Sequence, residues 1–107
     1  MSAGMDQGQA VAALGALAQE TRLDIVRFLV RRGSEGAAAG EIADHVGASS
    51  SRASFHLANL ERAGLIGATR DARRIVYRAR YDRLGGLIAY LLEDCCGGEE
   101  AVRRCCE

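Results

Sequence analysis

The sequence predicts a mainly α-helical domain with one small β-hairpin, in the order α-α-α-α-β-β-α. Three observations carry that expectation. Apolar residues recur at helical spacing through residues 10–64 and again over 84–92. Between 74 and 80, Ile75, Tyr77 and Ala79 alternate with Arg74, Val76, Arg78 and Arg80, the period of a strand. A short helical pattern, a glycine and a longer helical pattern follow one another directly over 40–64. A chain of 107 residues is long enough for one core and too short for two. The expected division is a folded unit over 1–96 and a flexible cysteine-bearing tail over 97–107.

In order along the chain, "GQAVAALGALAQE" places Val11, Leu14, Leu17 and Ala18 at helical spacing. Thr21 reads as an N-cap with Asp24 at N3, opening "RLDIVRFLVRR", which is expected to bury Leu23, Val26, Leu29 and Val30 and to end at Gly33. "GSEGAAAG" reads as a flexible connection. "GEIADHVG" is a helix of about two turns, with Ile42 and Val46 on one side and Gly47 as its stop. "ASSS" supplies cap residues for "SRASFHLANLERAG". In that helix Ala53, Leu57, Leu60 and Gly64 form the inner face, while Ser51, Arg52, Phe55, Ala58, Asn59 and Arg62 face outward. The hairpin runs from Leu65–Thr69 through "RDAR" into the alternating strand. Asp82 is the expected cap of a last helix whose stripe is Leu84, Leu87, Ile88, Leu91 and Leu92.

Composition narrows the function. Aromatics are only 5% of residues, so the core is built from Ala, Leu, Ile and Val, and a core so thin gains from dimerisation. No apolar run reaches the roughly 18–20 residues of a membrane span, and the N-terminal segment has no basic n-region, so a cytoplasmic protein is expected. Formal net charge is zero, but Arg70, Arg73, Arg74, Arg78, Arg80 and Arg83 crowd one segment beside an acidic tail. Short helix, glycine turn, long helix and basic hairpin together make a winged helix-turn-helix. Its second helix would enter the major groove with Ser49, Ser50, Ser51, Arg52, Ser54, Phe55, His56 and Asn59 as the DNA-binding candidates, Phe55 against a thymine methyl. Arg70, Arg73 and Arg74 at the hairpin turn would meet phosphate or the minor groove. The expected partner is double-stranded operator DNA, with no membrane and no small-molecule substrate.

All four cysteines, Cys95, Cys96, Cys105 and Cys106, fall in the last thirteen positions. In a reducing compartment they read as working thiols. Adjacent cysteines close a disulfide with each other only under strain, but both can face one soft ion, and Gly97–Gly98 lets the chain double back to bring a further sulfur. Trivalent arsenic takes three sulfurs in a pyramid, whereas zinc takes a closed tetrahedron that four cysteines also satisfy. Donor chemistry alone does not separate the two. Nor does it exclude a redox switch pairing Cys95 or Cys96 with Cys105 or Cys106. An enzyme is not expected: there is no Cys-x-x-Cys, no βαβ pattern and no oxyanion-cradling loop before a thiol.

The stretches "LAQETRLDIVRFLV", "GEIADHVGASSSRASFHLANLERAGLI" and "RDARRIVYRA" make the chain, over residues 10–96, similar to the arsenical-repressor (ArsR/SmtB) family of winged-helix regulators. The resemblance implies a homodimer, paired through its first and last long helices, that represses transcription until an inducer ion releases it. "CCGG" after the last helix resembles the arsenite-sensing members, in which a vicinal pair is completed by a downstream cysteine. Carried over, Cys95 and Cys96 are metal ligands, and Cys105 or Cys106 is the third. The implied inducer is As(III), or Sb(III). The alternative on the same cysteines is a Zn-, Cd- or redox-responsive repressor. A Cys-x-Cys in "AGEIADHVG" and an Asp/His pairing on "LGGLIAYLLED", which serve other sensory sites of that family, are both missing.

Overall fold

The computed structural model describes residues 5–93. Five helices and three short strands follow in order: α1 (Gln7–Leu17), α2 (Glu20–Arg32), a 3-10 turn at Gly33–Glu35, β1 (Ala37–Ala38), α3 (Ala39–Val46), α4 (Ser50–Arg62), β2 (Ile66–Asp71), β3 (Arg74–Ala79) and α5 (Tyr81–Leu91). This is the expected winged helix-turn-helix, with one strand added. The tail and the boundary at 96/97 lie outside the described residues.

α1 starts with a reciprocal cap. Asp6 Oδ1 accepts from the Gln9 backbone N–H at 2.7 Å, and Gln9 Oε1 accepts from the Asp6 N–H at 2.9 Å. The helix is apolar on nearly every side, and it is the alanine face that turns inward. Ala10, Ala13 and Ala16 are buried, while Val11 and Leu14 are exposed. Small side chains let α1 lie close against α2 and α4.

α2 begins earlier than expected. Its N-cap is Gln19, whose side-chain oxygen accepts from the Arg22 N–H at 2.9 Å, and Thr21 is already inside the helix. Ile25, Val26 and Leu29 form its buried face, whereas Leu23 and Val30, expected inside, are exposed. α2 also carries α3: the Phe28 ring stacks on His45 with centroids 4.1 Å apart, and the Arg32 guanidinium lies 5.6 Å from the Phe28 centroid. The fully buried large side chains are Ile25, Leu29, Ile42, Leu57, Leu60, Leu65 and Ile66, one core shared by α2, α3, α4 and β2.

The segment read as a flexible connection holds β1, which pairs with β3 (Ala37 opposite Tyr77, Ala38 opposite Val76). The sheet order is β1-β3-β2, all antiparallel. Gly36, at φ 61°, enables this close approach. A Cβ there would stand 2.7 Å from Arg78 Cγ and 2.8 Å from Val76 Cγ1, and nearer still to the Tyr77 carbonyl oxygen. The β2–β3 hairpin is longer than expected, pairing Ile66 with Ala79 through to Asp71 with Arg74 across a two-residue turn, Ala72-Arg73. The simple alternation along β3 does not hold. Val76 and Ala79 are buried, Tyr77 and Arg78 half-buried and Ile75 exposed, because β3 is central and covered by α2.

α5 starts at Tyr81, with Arg80 in the cap position and no side chain closing it. Asp82, expected there, instead accepts from Arg80 at 2.9 Å; that bond and the guanidinium's charge hold its carboxyl below the usual range. The Tyr81 hydroxyl donates to the Val30 carbonyl at 2.9 Å and ties the start of α5 to α2. Of the expected stripe only Leu87 is buried. Leu84 and Leu92 are half-buried, and Ile88 and Leu91 are exposed. Among the described residues no helix is long and apolar enough to cross a membrane.

Candidate nucleic-acid interface

The turn between α3 and α4 is set by two local devices. Gly47 closes α3 in the left-handed conformation (φ 68°, ψ 34°), and the Ala48 N–H returns to the Ala43 carbonyl at 3.0 Å. Ser49 then caps α4, its Oγ accepting from the Arg52 N–H at 3.2 Å. With Ala53, His56, Leu57 and Leu60 turned into the core, the opposite face is forced outward. Ser49, Ser50, Ser51, Arg52, Ser54 and Phe55 are all exposed there, Phe55 at 62%. Hydroxyls, one guanidinium and one aromatic ring thus stand at the positive end of a helix, as groove reading requires.

Two candidates are placed differently. His56 is 6% exposed, so it faces the interior and not a groove. Its Nδ1 is buried with no hydrogen-bond partner among the described residues. Burial, then the charges of Arg22 and Arg52, push the imidazole pKa down and disfavour the charged ring. Asn59 is half-buried and committed to its own helix: its Nδ2 donates to the Phe55 carbonyl at 2.9 Å, and its Oδ1 accepts from Arg62 at 3.1 Å. Neither side chain offers a free edge to a base.

The wing sorts the arginine cluster. Arg70 and Arg73 stand exposed at the hairpin end with no ion pair among the described residues. Arg74 is exposed but tied, its guanidinium 3.2 Å from Glu41 on α3. Arg78 is structural, donating to the Ser34 carbonyl and to Thr69 Oγ1, both at 2.7 Å. Arg80 is held by Asp82.

Glu41 is the residue that sequence reasoning missed. It accepts from the Ala38 N–H at 2.9 Å and pairs with Arg32 at 3.3 Å as well as with Arg74. The Ala38 N–H foremost, then the two guanidiniums, hold its carboxyl below the ordinary range. One carboxylate therefore joins α2, α3 and the wing. Its place at the third position of α3 is a half-signal for capping, but a partner 33 residues away is not readable from spacing.

Cys95, Cys96, Cys105 and Cys106 lie outside the described residues. Among those described, no group of three or more His, Cys, Asp or Glu side chains is placed to hold a metal ion.

The helix-turn-helix domain family matches residues 17–66. The chain is 41% identical over 83 residues to the HTH-type transcriptional regulator YgaV of Escherichia coli K12, spanning 78% of this chain and 82% of that protein. An ArsR-like transcriptional regulator from Rhodococcus sp. RHA1 superposes with a TM-score of 0.72 at 28% identity, over 92% of this chain and 87% of that one. The chain belongs to the ArsR family of winged-helix transcriptional regulators. A further similar structure is the homodimeric winged helix-turn-helix DNA-binding domain of a possible ArsR-family regulator from Mycobacterium bovis (TM-score 0.65, 27% identity, 92% of this chain and 97% of that one). In this ArsR-family chain, then, α3 and α4 are the helix-turn-helix and β2–β3 the wing of a DNA-binding transcriptional regulator.

Proposed function

We propose that this chain is a homodimeric repressor that occupies operator DNA when free. It leaves the operator when trivalent arsenic, or antimony, is bound by the thiolates of Cys95, Cys96 and one of Cys105 and Cys106. The observation that carries the reading is where the thiols fall. In the sequence Cys95 and Cys96 come four and five residues after Leu91, the last residue of α5, whose outer residues Ile88 and Leu91 are apolar and exposed. Val11 and Leu14 add a second exposed apolar strip on α1, against which α5 packs. Such surface is costly to leave in water and suits subunit pairing. The M. bovis domain, similar over nearly its whole length, is homodimeric.

The coupling is a population shift. Pairing through α1 and α5 sets the distance between the two α4 helices, which must match half-sites about one turn of DNA apart. An ion held next to α5 moves that interface and spoils the match. A coupling of roughly 1–3 kcal/mol changes operator occupancy about 5- to 150-fold. Three soft sulfurs suit a pyramidal As(III) or Sb(III), and a reducing cytoplasm keeps them from oxidising to disulfides.

Operator release by the reduced protein, titrated with As(III), Sb(III), Cd(II) and Zn(II), tests the proposal. As(III) and Sb(III) should release DNA, and Cys95→Ser with Cys96→Ser should repress normally but resist both. Release by Zn(II) or Cd(II) alone, release by oxidant alone with recovery on adding reductant, or arsenite release from the double variant would each overturn it.

A further inference from the structure

At the junction of α1, α2 and α4 a solvent-open cleft of about 210 Å³ is lined by Ala12, Ala16, Arg22, Asn59, Arg62 and Ala63. That is several times the ~30 Å³ share of one water molecule. Three of the six walls are alanine methyls, which leave space and offer no acceptor. The other three are two guanidiniums and an amide, and no carboxylate lines the cleft. Arg22 and Arg62 take no part in the ion pairs found among the described residues.

The two arginines are held differently. The Arg22 Nε–H is buried with no hydrogen-bond partner among the described residues, an unfavourable state for a charged donor unless something accepts from it. Arg62 is held in place: Asn59 Oδ1 accepts from its Nη1 at 3.1 Å while Asn59 Nδ2 is anchored on the Phe55 carbonyl at 2.9 Å. A guanidinium fixed in this way presents its remaining donors as a preformed fork, the geometry that suits a tetrahedral oxyanion.

We infer that this cleft is a seat for a phosphate group, with Arg22 and Arg62 as its ligands and Asn59 as the residue that positions Arg62. Its walls come from three helices, so an occupant joins the C-terminal half of α4 to α1 and α2. The phosphate has two possible sources, a free phosphate in solution or the backbone of bound DNA. The inference does not depend on the arsenic reading.

The test uses the full-length reduced protein and inorganic phosphate, with chloride at matched ionic strength as reference. The readout is the arginine Nε–H signals in nuclear magnetic resonance. Arg22 and Arg62 should shift saturably with phosphate, and Arg62→Gln should weaken the effect about tenfold, the loss of one hydrogen bond to a charged group. Asn59→Ala should weaken it less, and Arg31→Gln, an exposed control elsewhere on α2, not at all. The second arm measures binding to a random-sequence duplex over a range of salt. A salt slope about one smaller in Arg62→Gln assigns the phosphate to DNA; an unchanged slope with saturable phosphate shifts assigns it to solution. Shifts that do not saturate or are shared equally by Arg31, together with an unchanged salt slope, overturn the inference.

Discussion

Phe55 is an aromatic ring left 62% in water on the outer face of α4, edge-on to the neighbouring His56. Arg52, one turn earlier, is exposed as well. The expectation is that both serve recognition, whereas Arg73 at the wing tip meets the backbone of the duplex. Arg52→Ala and Phe55→Ala should therefore reduce the preference for operator over random duplex, Arg52 by about 1–3 kcal/mol. Arg73→Ala should weaken both duplexes alike and lower the salt slope by about one. Fluorescence anisotropy at several salt concentrations checks this, and equal losses on both duplexes for all three variants would reject the assignment. His56, buried one residue beyond Phe55, predicts something about stability. Its folded-state pKa lies below the ordinary 6.5, so the unfolded chain takes up a proton first as pH falls. Its contribution is complete above pH 6.5 and is lost progressively as pH drops below 6.5 towards the folded value. Thermal unfolding of wild type and His56→Gln between pH 7.5 and 5 should show a shallower pH dependence in the variant.

Among the elements, α4 was the most legible. Its serine cap and its inner residues Ala53, Leu57 and Leu60 are where local pattern places them, since capping and 3.6-residue periodicity act within a few residues. α1 was legible as a helix but not in its orientation. With apolar residues nearly all round, periodicity cannot tell the alanine face from the Val11–Leu14 face; the tight approach to α2 and α4 decides it. β1 was illegible because two alanines carry no strand pattern and exist as a strand only through pairing with β3, some forty residues on. The distinction between Arg73, exposed at the tip, and Arg78, spent on Ser34 and Thr69, is likewise made by tertiary partners. Gly36 is the local condition for β1. Gly36→Ala should destabilise the protein by about 2 kcal/mol or more, combining a glycine-only backbone conformation with overpacking. Gly40→Ala, inside α3 with nothing within 4 Å of the added methyl, should instead be neutral or gain about 0.5–1 kcal/mol. Denaturant midpoints of the two variants give the comparison.

On the scale of the whole molecule, the folded unit is asymmetric in what it shows to water. One side is the polar and basic face of α4 and the wing. Elsewhere Val11, Leu14, Ile88 and Leu91 leave apolar surface uncovered on α1 and α5. A small domain with few aromatics has little stability to spare, and pairing two such surfaces adds burial that the single chain lacks. Leu14→Glu combined with Ile88→Glu should leave the helical circular-dichroism signal intact while sedimentation shows a monomer, with operator affinity reduced at least tenfold. A double variant that still sedimented as a dimer would place the subunit contact on another surface. The order of helix-turn-helix and hairpin was thus readable from the sequence alone. The division between inner and outer apolar residues was not, because both are written in the same few aliphatic letters.

The Tyr81 hydroxyl on the Val30 carbonyl gives α5 a fulcrum. From that pinned end to Leu91 the helix extends about 15 Å at 1.5 Å per residue, with Gly85 and Gly86 forming a pliant stretch just past the pin. On the proposed mechanism, a push at the far end would arrive at α2 as torque. α2 in turn grips α3 by the Phe28–His45 stack and the Arg32–Glu41 pair, so leverage that tilted α5 would bear on the helix that precedes α4.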